Sequence, residues 1–237
     1  MSQLNFYTYA NEEVDAAMNG ILVSLEGISG SGKTYFITEL RKEMRDINFT
    51  FLSEIMDQNN DGLYKQISAA LRYSNDMFFR GGLPRSETFL LLALKMCDYE
   101  TSIAAALDAG AVVVEDRSID SIAVYQSIML CPERSDLRAD TASEIYTLAV
   151  RWRRPPDITF LIEDDFNTSI KRAQKRDKRI YSNDELEVLR AAAKVYVEHA
   201  ERYAARIVRI DRRTMNNNNE VLQAMRRIIL DRFKSNE

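Results

Sequence analysis

Gly27-Ile28-Ser29-Gly30-Ser31-Gly32-Lys33-Thr34 is the stretch that decides the fold. It matches G-x-x-x-x-G-K-[ST] in full, a pattern whose glycines let consecutive backbone N–H groups wrap around phosphate oxygens. The pattern requires a strand before it and a helix after it, so that the positive end of the helix dipole faces the phosphates. Both neighbours are present. Ile21–Leu25 is a short apolar run, and Phe36, Leu40 and Met44 recur every four residues behind the motif, placing one apolar stripe on a helix. A Gly/Ser turn with an incidental lysine would need neither. Gly27, Ser29, Gly30, Ser31, Gly32, Lys33 and Thr34 are therefore predicted to bind a nucleoside triphosphate, with Lys33 on the β- and γ-phosphates and Thr34 on Mg²⁺.

Outward from the motif, four more short apolar runs stand at Phe49–Leu52, Ala111–Val114, Ile158–Ile162 and Ile207–Ile210. Helical periods fill the gaps: Leu63, Ile67 and Leu71, then about Glu87–Leu107, Ala142–Val150 and Asp184–Ala205. This alternation predicts an α/β fold with a five-stranded parallel sheet covered by helices. The chain has 237 residues, 46% hydrophobic and 29% charged, with only 8 Gly and 4 Pro. That composition excludes disorder and collagen-like repeats, and the absence of a linker predicts a single domain over 1–237. The polar run Asn216–Asn219 is expected to be a loop between ordered elements. A formal charge of −4 offers no general attraction for a polyanion, so any phosphate chemistry must be local. Cys97, Cys131 and the single His199 cannot build a zinc site, and free thiols in a reducing compartment are expected. Met1–Met18 has neither a cationic start nor an apolar stretch, and no run approaches the ~18 apolar residues that would span a bilayer. A cytoplasmic protein with no membrane partner is the expectation.

A phosphate-binding loop does not name the phosphate acceptor, since kinases, GTPases, motors and DNA-handling ATPases all carry one. Ala111–Val114 leads into Glu115-Asp116-Arg117-Ser118. An apolar strand ending in Glu115-Asp116 fits a site where a carboxylate holds the metal ion or its water. Arg117 beside it suits a kinase that grips a second, incoming phosphate, although a plain strand-end ion pair would also place Asp next to Arg. Residues 151–180 carry nine Lys or Arg against five acids, a net +4, so the remainder of the chain sums to −8. Arg172, Arg176 and Arg179 share one helical face if the helix persists that far. They would then stabilise a migrating phosphoryl group, the alternative being a solvated face of i,i+4 pairs.

Taken in order, these residues resemble the thymidylate kinase family of nucleoside monophosphate kinases. Leu25-Glu26-Gly27 through Thr34 is similar to that family's opening Glu-Gly-x-Asp-Gly-Ser-Gly-Lys-Thr. Asp116-Arg117, with Ser121 and Tyr125-Gln126 behind it, resembles its Asp-Arg-Tyr motif, and Pro156–Leu161 its Pro-Asp-Leu-Thr strand. Arg172–Asp177 resembles the lid segment, Tyr196–Tyr203 the late helix, and Ile210-Asp211 the final strand. The resemblance implies a three-layer P-loop kinase fold with a basic lid over about 171–184. It further implies a homodimer that moves the γ-phosphoryl of Mg·ATP to the 5′-phosphate of a small deoxynucleotide such as dTMP. On that basis Lys33 and Thr34 hold ATP and Mg²⁺, Asp116 orients the metal, Arg117 grips the acceptor phosphate, and Arg172, Arg176 and Arg179 close the lid. Lys95, Ser121, Tyr125 and Gln126 would face the acceptor, and Glu54 would match the Glu of an Arg-Glu-Pro segment.

The departures gather on the acceptor side. Ser29 replaces the P-loop Asp, Ser53 the Arg before Glu54, Lys95 an Arg, and Ser118 an aromatic residue. They point to an altered acceptor site and to an alternative, a deoxynucleoside kinase in which Glu54 removes the proton of a 5′-hydroxyl. Tyr125-Gln126 and the late helix fit the monophosphate kinases better. A P-loop ATPase or switch on nucleic acid is a third possibility, opposed by the overall acidity and by the lack of interleaved aromatics in the basic segment. His199 is expected to be a surface or packing residue and Trp152 a partly buried anchor of its loop. Phe78-Phe79 ahead of Arg80-Gly81-Gly82 fits either a pocket wall or a helix end.

Overall fold

The structure is a computed structural model that describes residues 20–45, 47–52, 62–214 and 217–234. Five strands form one sheet: β1 (Ile21–Glu26), β2 (Phe49–Leu52), β3 (Val112–Asp116), β4 (Ile158–Glu163) and β5 (Ile207–Asp211), in the order β2-β3-β1-β4-β5. Every pairing is parallel. β1 is central and buried along its whole length, which is why its sequence is almost continuously apolar. Its neighbours are β3 on one side and β4 on the other, so chain connections diverge at its carboxyl end. Such a switch point opens a crevice, and the Gly27–Thr34 loop sits there. The register sets Leu25 of β1 opposite Asp116 of β3, fixing the phosphate-binding loop and the acidic strand end side by side.

α1 (Lys33–Glu43) follows the loop and packs Phe36, Ile37, Leu40 and the adjoining Met44 on one face of the sheet. It shares that layer with α9 (Asn218–Lys234), which contributes Val221, Leu222, Met225 and Ile229. The chain continues through α2 (Gly62–Arg72), α3 (Pro84–Asp98), a π-helical turn at Tyr99–Ile103, α4 (Ala104–Asp108), α5 (Ile119–Leu130), α6 (Arg138–Ala149), α7 (Phe166–Asp177) and α8 (Asn183–Arg202). A second cluster unites α2, α3, α5, α6, α7 and α8 around Leu94, Ile119, Ala123, Ala142 and Leu189. Two helical layers around one parallel sheet constitute the expected α/β P-loop kinase architecture.

The five predicted strands are present within two residues of the expected ends, whereas the helices hold several differences. The long period over 87–107 is one helical path with a π turn inside it. No element was expected at α5 or α9. The loop predicted over Asn216–Asn219 does not reach Asn219, because Asn218 opens α9 and Asn217 caps it, its Oδ1 accepting the Glu220 N–H at 2.9 Å, while Asn216 lies outside the described residues. α7 ends at Asp177, where Lys178 takes a left-handed conformation (φ 53°), so Arg179 lies off the helical face it was predicted to share. Trp152 is 62% exposed, not a buried anchor; the large side chain buried at that turn is Arg153. His199 is buried within the α8 face. Cys97 and Cys131 are both free thiols. Among the described residues no helix is long and apolar enough to cross a membrane.

Candidate active site

The phosphate-binding loop takes its shape from three glycines in the positive-φ region, Gly27 (132°), Gly30 (79°) and Gly32 (108°). These conformations are strained for residues with a Cβ. Close approaches reinforce the requirement. A Cβ on Gly27 would lie 2.5 Å from the Ile162 carbonyl oxygen, and one on Gly30 would lie 2.0 Å from that of Ser169 in α7. Gly32 begins α1 without a side-chain cap, so the first N–H groups of that helix are directed into the loop. The Lys33 ammonium arches back across it, donating to the Gly27 and Ile28 carbonyls at 2.9 and 3.1 Å. Ser31 Oγ is buried with no hydrogen-bond partner among the described residues. A cradle of glycines, an open helix N-terminus, a lysine lying across it and an orphaned hydroxyl fit a polyphosphate.

β3 delivers the second group. Asp116 is buried at the strand end, and Arg117 turns the chain with φ 65°, a strained conformation for arginine. The Arg117 N–H donates to the Leu25 carbonyl at 3.2 Å, and its Nη1 donates to the Ser121 hydroxyl at 3.3 Å and the Tyr196 hydroxyl at 3.4 Å. Ser118 then caps α5, its Oγ accepting from the Asp120 N–H. Behind this turn lies Glu26, pushed up to about 7 by burial and by the nearby Asp120 charge. Deeper still, Asp120 is gripped by Arg206 and by His199 Nε2, the latter at 2.7 Å. Burial opposes ionisation of Asp120, but the Arg206 charge and the hydrogen bonds from His199 and Arg206 outweigh it and hold the carboxyl far below the usual range.

A cavity of about 290 Å³ collects these groups. Its walls include Ser29, Lys33, Thr34, Lys95, Asp116, Arg117, Ser121, Tyr125, Gln126 and Arg176. Ten residues expected at the site thus face one space. Phe78 and Phe79 line it too, deciding between the two earlier readings in favour of a wall, and Phe78 stacks on Tyr125 at 5.7 Å. Gln126 is held from the side by the Thr88 hydroxyl, which donates to its Oε1 at 3.0 Å. Lys95 reaches the cavity but is only 1% exposed, and its ammonium lies 3.4 Å from Glu115 and 3.5 Å from Asp98. Glu115 also pairs with the buried Arg153 at 2.7 Å. Burial disfavours its charge, yet Arg153 and Lys95 together keep its pKa below the ordinary glutamate value.

The three arginines expected in a lid diverge. Arg176 faces the cavity, its Nη2 donating to Ser29 Oγ at 2.9 Å. Arg172 instead pairs with Asp164 at 2.6 Å, and Arg179, beyond the helix end, makes a two-bond fork with Glu185 and lies over the Tyr181 ring. Glu54 lies outside the described residues. Several polar residues at the site were not singled out in sequence. Arg212 donates to the Ser31 carbonyl at 2.9 Å and shares Asp164 with Arg172. Asp177 lines the cavity, bound by Arg176 and the Tyr181 hydroxyl. Arg153 and Arg206 serve the buried networks. Of these, only the basic count around 151–180 gave any signal, and it could not separate buried cations from exposed ones.

A phosphate cradle and a second arginine-bearing wall opening on one cavity, at the switch point of a β2-β3-β1-β4-β5 parallel sheet, define a P-loop nucleoside monophosphate kinase. The thymidylate kinase family matches residues 25–228, and the chain belongs to that family. A protein of Halobacterium salinarum named probable thymidylate kinase is 32% identical over 158 residues, covering 67% of this chain and 72% of the relative. A probable thymidylate kinase of Methanococcoides burtonii is 29% identical over 215 residues, covering 90% of this chain and 99% of its own. The crystal structure of thymidylate kinase from Ehrlichia chaffeensis superposes with a TM-score of 0.62 at 21% identity, over 89% of this chain and 98% of that one. That likeness concerns the fold.

Proposed function

We propose that this kinase transfers the γ-phosphoryl of ATP to dTMP or a closely related pyrimidine deoxynucleotide, giving the diphosphate. The observation that carries this reading is the single cavity into which both Lys33 and Thr34 of the phosphate-binding loop and Arg117, Ser121, Tyr125 and Gln126 of the opposite wall project. A hydrolytic ATPase has no use for the second set. When bound, Mg·ATP supplies the phosphoryl group and part of the charge neutralisation for its in-line transfer. The chain's own contribution is placement. The Gly27–Gly32 backbone and Lys33 would hold the β- and γ-phosphates, Thr34 and Asp116 would hold the metal and its waters, and Arg117 would fix the acceptor phosphate. Arg176 enters from the lid, and with Asp177 it walls the cavity against bulk water, so that transfer outruns hydrolysis. Arg172 and Arg179 belong to the same basic lid and act once it closes on the triphosphate. Phe78, stacked on Tyr125, offers an aromatic surface to the acceptor base, with Gln126 as its hydrogen-bonding edge. Lys95 is read as the cation at the floor of the acceptor half, backed by Glu115.

The enzyme is read as a cytoplasmic homodimer that uses no nucleic acid or membrane. The exposed Leu63 of α2 and Phe89 of α3, on helices packed against each other, support an apolar contact between copies. Light scattering is expected to give twice the 27.3 kDa chain mass, and a monomer mass at every concentration would contradict the dimer. The substrate reading is tested by incubating Mg·ATP with a panel of pyrimidine and purine 5′-monophosphates and the matching nucleosides, and separating the products. A pyrimidine deoxynucleoside diphosphate is expected as the main product. Phosphorylation of nucleosides alone would favour the deoxynucleoside kinase instead.

A further inference from the structure

β1 ends in Glu26, whose side chain is 1% exposed yet meets groups from two helices, α5 with its cap and α8. Its Oε1 accepts from the Ser118 N–H at 2.7 Å and the Ser118 hydroxyl at 2.8 Å. Its Oε2 accepts from the Ser121 hydroxyl of α5 in a short hydrogen bond and from the Tyr196 hydroxyl of α8 at 3.3 Å. The two hydroxyl oxygens lie 2.6 Å apart, and both receive Arg117 Nη1. A guanidinium has donors only, while a hydroxyl has one proton and two lone pairs. Ser121 and Tyr196 must therefore turn lone pairs toward Arg117 and protons away from it. The Tyr196 proton has Ser121 Oγ or Glu26 as its acceptor, and the Ser121 proton has Glu26 Oε2. The relay keeps this direction only if the group at its end accepts.

We propose that Glu26 is a positioning residue for the acceptor nucleotide: through the Ser121 and Tyr196 hydroxyls it fixes the direction in which Arg117 presents its guanidinium to the cavity. The inference rests on the acceptor-side role given to Arg117 above. It accounts for the strained Arg117 backbone, which a relay fixed at both ends holds in place. The other titratable or charged groups facing this cluster are Asp120 on α5, which shares the Ser118 hydroxyl at 3.1 Å, and behind it His199 of α8 and Arg206 before β5.

Glu26→Gln preserves shape but reverses one bond. The backbone N–H of Ser118 needs an acceptor, so the amide oxygen faces it and the amide NH₂ faces Ser121. With that acceptor gone, either the Ser121 or the Tyr196 proton is left pointing at Arg117, donor against donor. The test is calorimetric binding at pH 8 of thymidine 5′-monophosphate and, separately, of ATP to the intact wild type, E26Q, Y196F and the double variant. E26Q is expected to bind the monophosphate about tenfold or more weakly, the scale of a lost charge-assisted hydrogen bond, with ATP affinity changed less than about twofold. Y196F is expected to weaken the monophosphate alone, and the double variant to be no worse than E26Q, since both changes break one relay. Unchanged monophosphate affinity in E26Q, equal weakening of both nucleotides, or additive effects would overturn the inference. Should E26Q not fold, the S121A and Y196F pair gives the same non-additivity test. A wild type that binds ATP but no monophosphate would sink the functional reading itself, an outcome distinct from those.

Discussion

Arg117 is the residue on which the proposed acceptor half turns. It directly follows Asp116, the carboxylate proposed for the metal, and its φ of 65° is held by hydrogen bonds to Leu25, Ser121 and Tyr196. Arg117→Ala is expected to raise the KM for the monophosphate or lower kcat by about 10²-fold, the scale of losing one preorganised donor, with ATP affinity retained. Unchanged steady-state kinetics would remove the residue from the mechanism. Glu26 makes a separate prediction about stability. Burial and the Asp120 charge raise it from the ordinary 4.5 to about 7, so the native state binds a proton that the unfolded chain releases between those values. Its stabilising effect is full below about 4.5 and is lost as pH rises through about 7. E26Q has no such titration. The melting temperature of wild type relative to E26Q should fall from pH 5 to pH 8, and a difference that stays constant or shifts in favour of wild type would contradict the assignment.

At the scale of elements, α7 and the phosphate-binding loop are packed backbone to backbone. A Cβ on Gly30 would meet Ser169 O at 2.0 Å and Ala173 N at 3.1 Å, both in α7, and would sit at φ +79°. Gly30→Ala is expected to cost about 1–3 kcal/mol from overpacking, with a further penalty for the left-handed backbone. It should also weaken ATP binding. A denaturation midpoint and ATP affinity both equal to wild type would show that the two elements are not coupled. Legibility in the sequence also divides by element. The five strands were legible because inner parallel strands are short continuous apolar runs. α5 was not, because Ile119, Ile122, Ala123, Val124 and Ile128 are buried on more than one side and leave no stripe to read. Arg172, Arg176 and Arg179 carried the right spacing, but periodicity does not report where a helix stops. The left-handed Lys178 ends it one residue before Arg179.

Across the whole molecule, the site stands on two buried polar networks that join distant parts of the chain. Glu115, Lys95, Asp98 and Arg153 tie β3 to α3 and to the turn before β4. Asp120, His199, Arg206 and Thr159 tie α5 to α8, β4 and the entry to β5. Removing one partner of such a network leaves the others buried and unmatched. Asp120→Ala is therefore expected to lose about 3–5 kcal/mol in chemical denaturation, and a loss under ~1 kcal/mol would count against a structural role for the network. These networks were invisible in the sequence, since a count of charges over 151–180 treats the buried Arg153 and the exposed Arg172 alike. The phosphate-binding loop was fully legible, because its chemistry resides in consecutive residues. The opposite wall of the cavity was legible only as an ordered set of weak motifs, because its members come from α3, the end of β3, α5 and α7.

The most direct test of the central claim is the stoichiometry of ADP release from Mg·ATP with and without dTMP. One ADP per dTDP is expected, with release at least about 10²-fold slower when the acceptor is omitted, as a water-excluding site requires. Equal ADP release in both cases, or release without any nucleoside diphosphate formed from the acceptor, would contradict a monophosphate kinase and leave an ATPase.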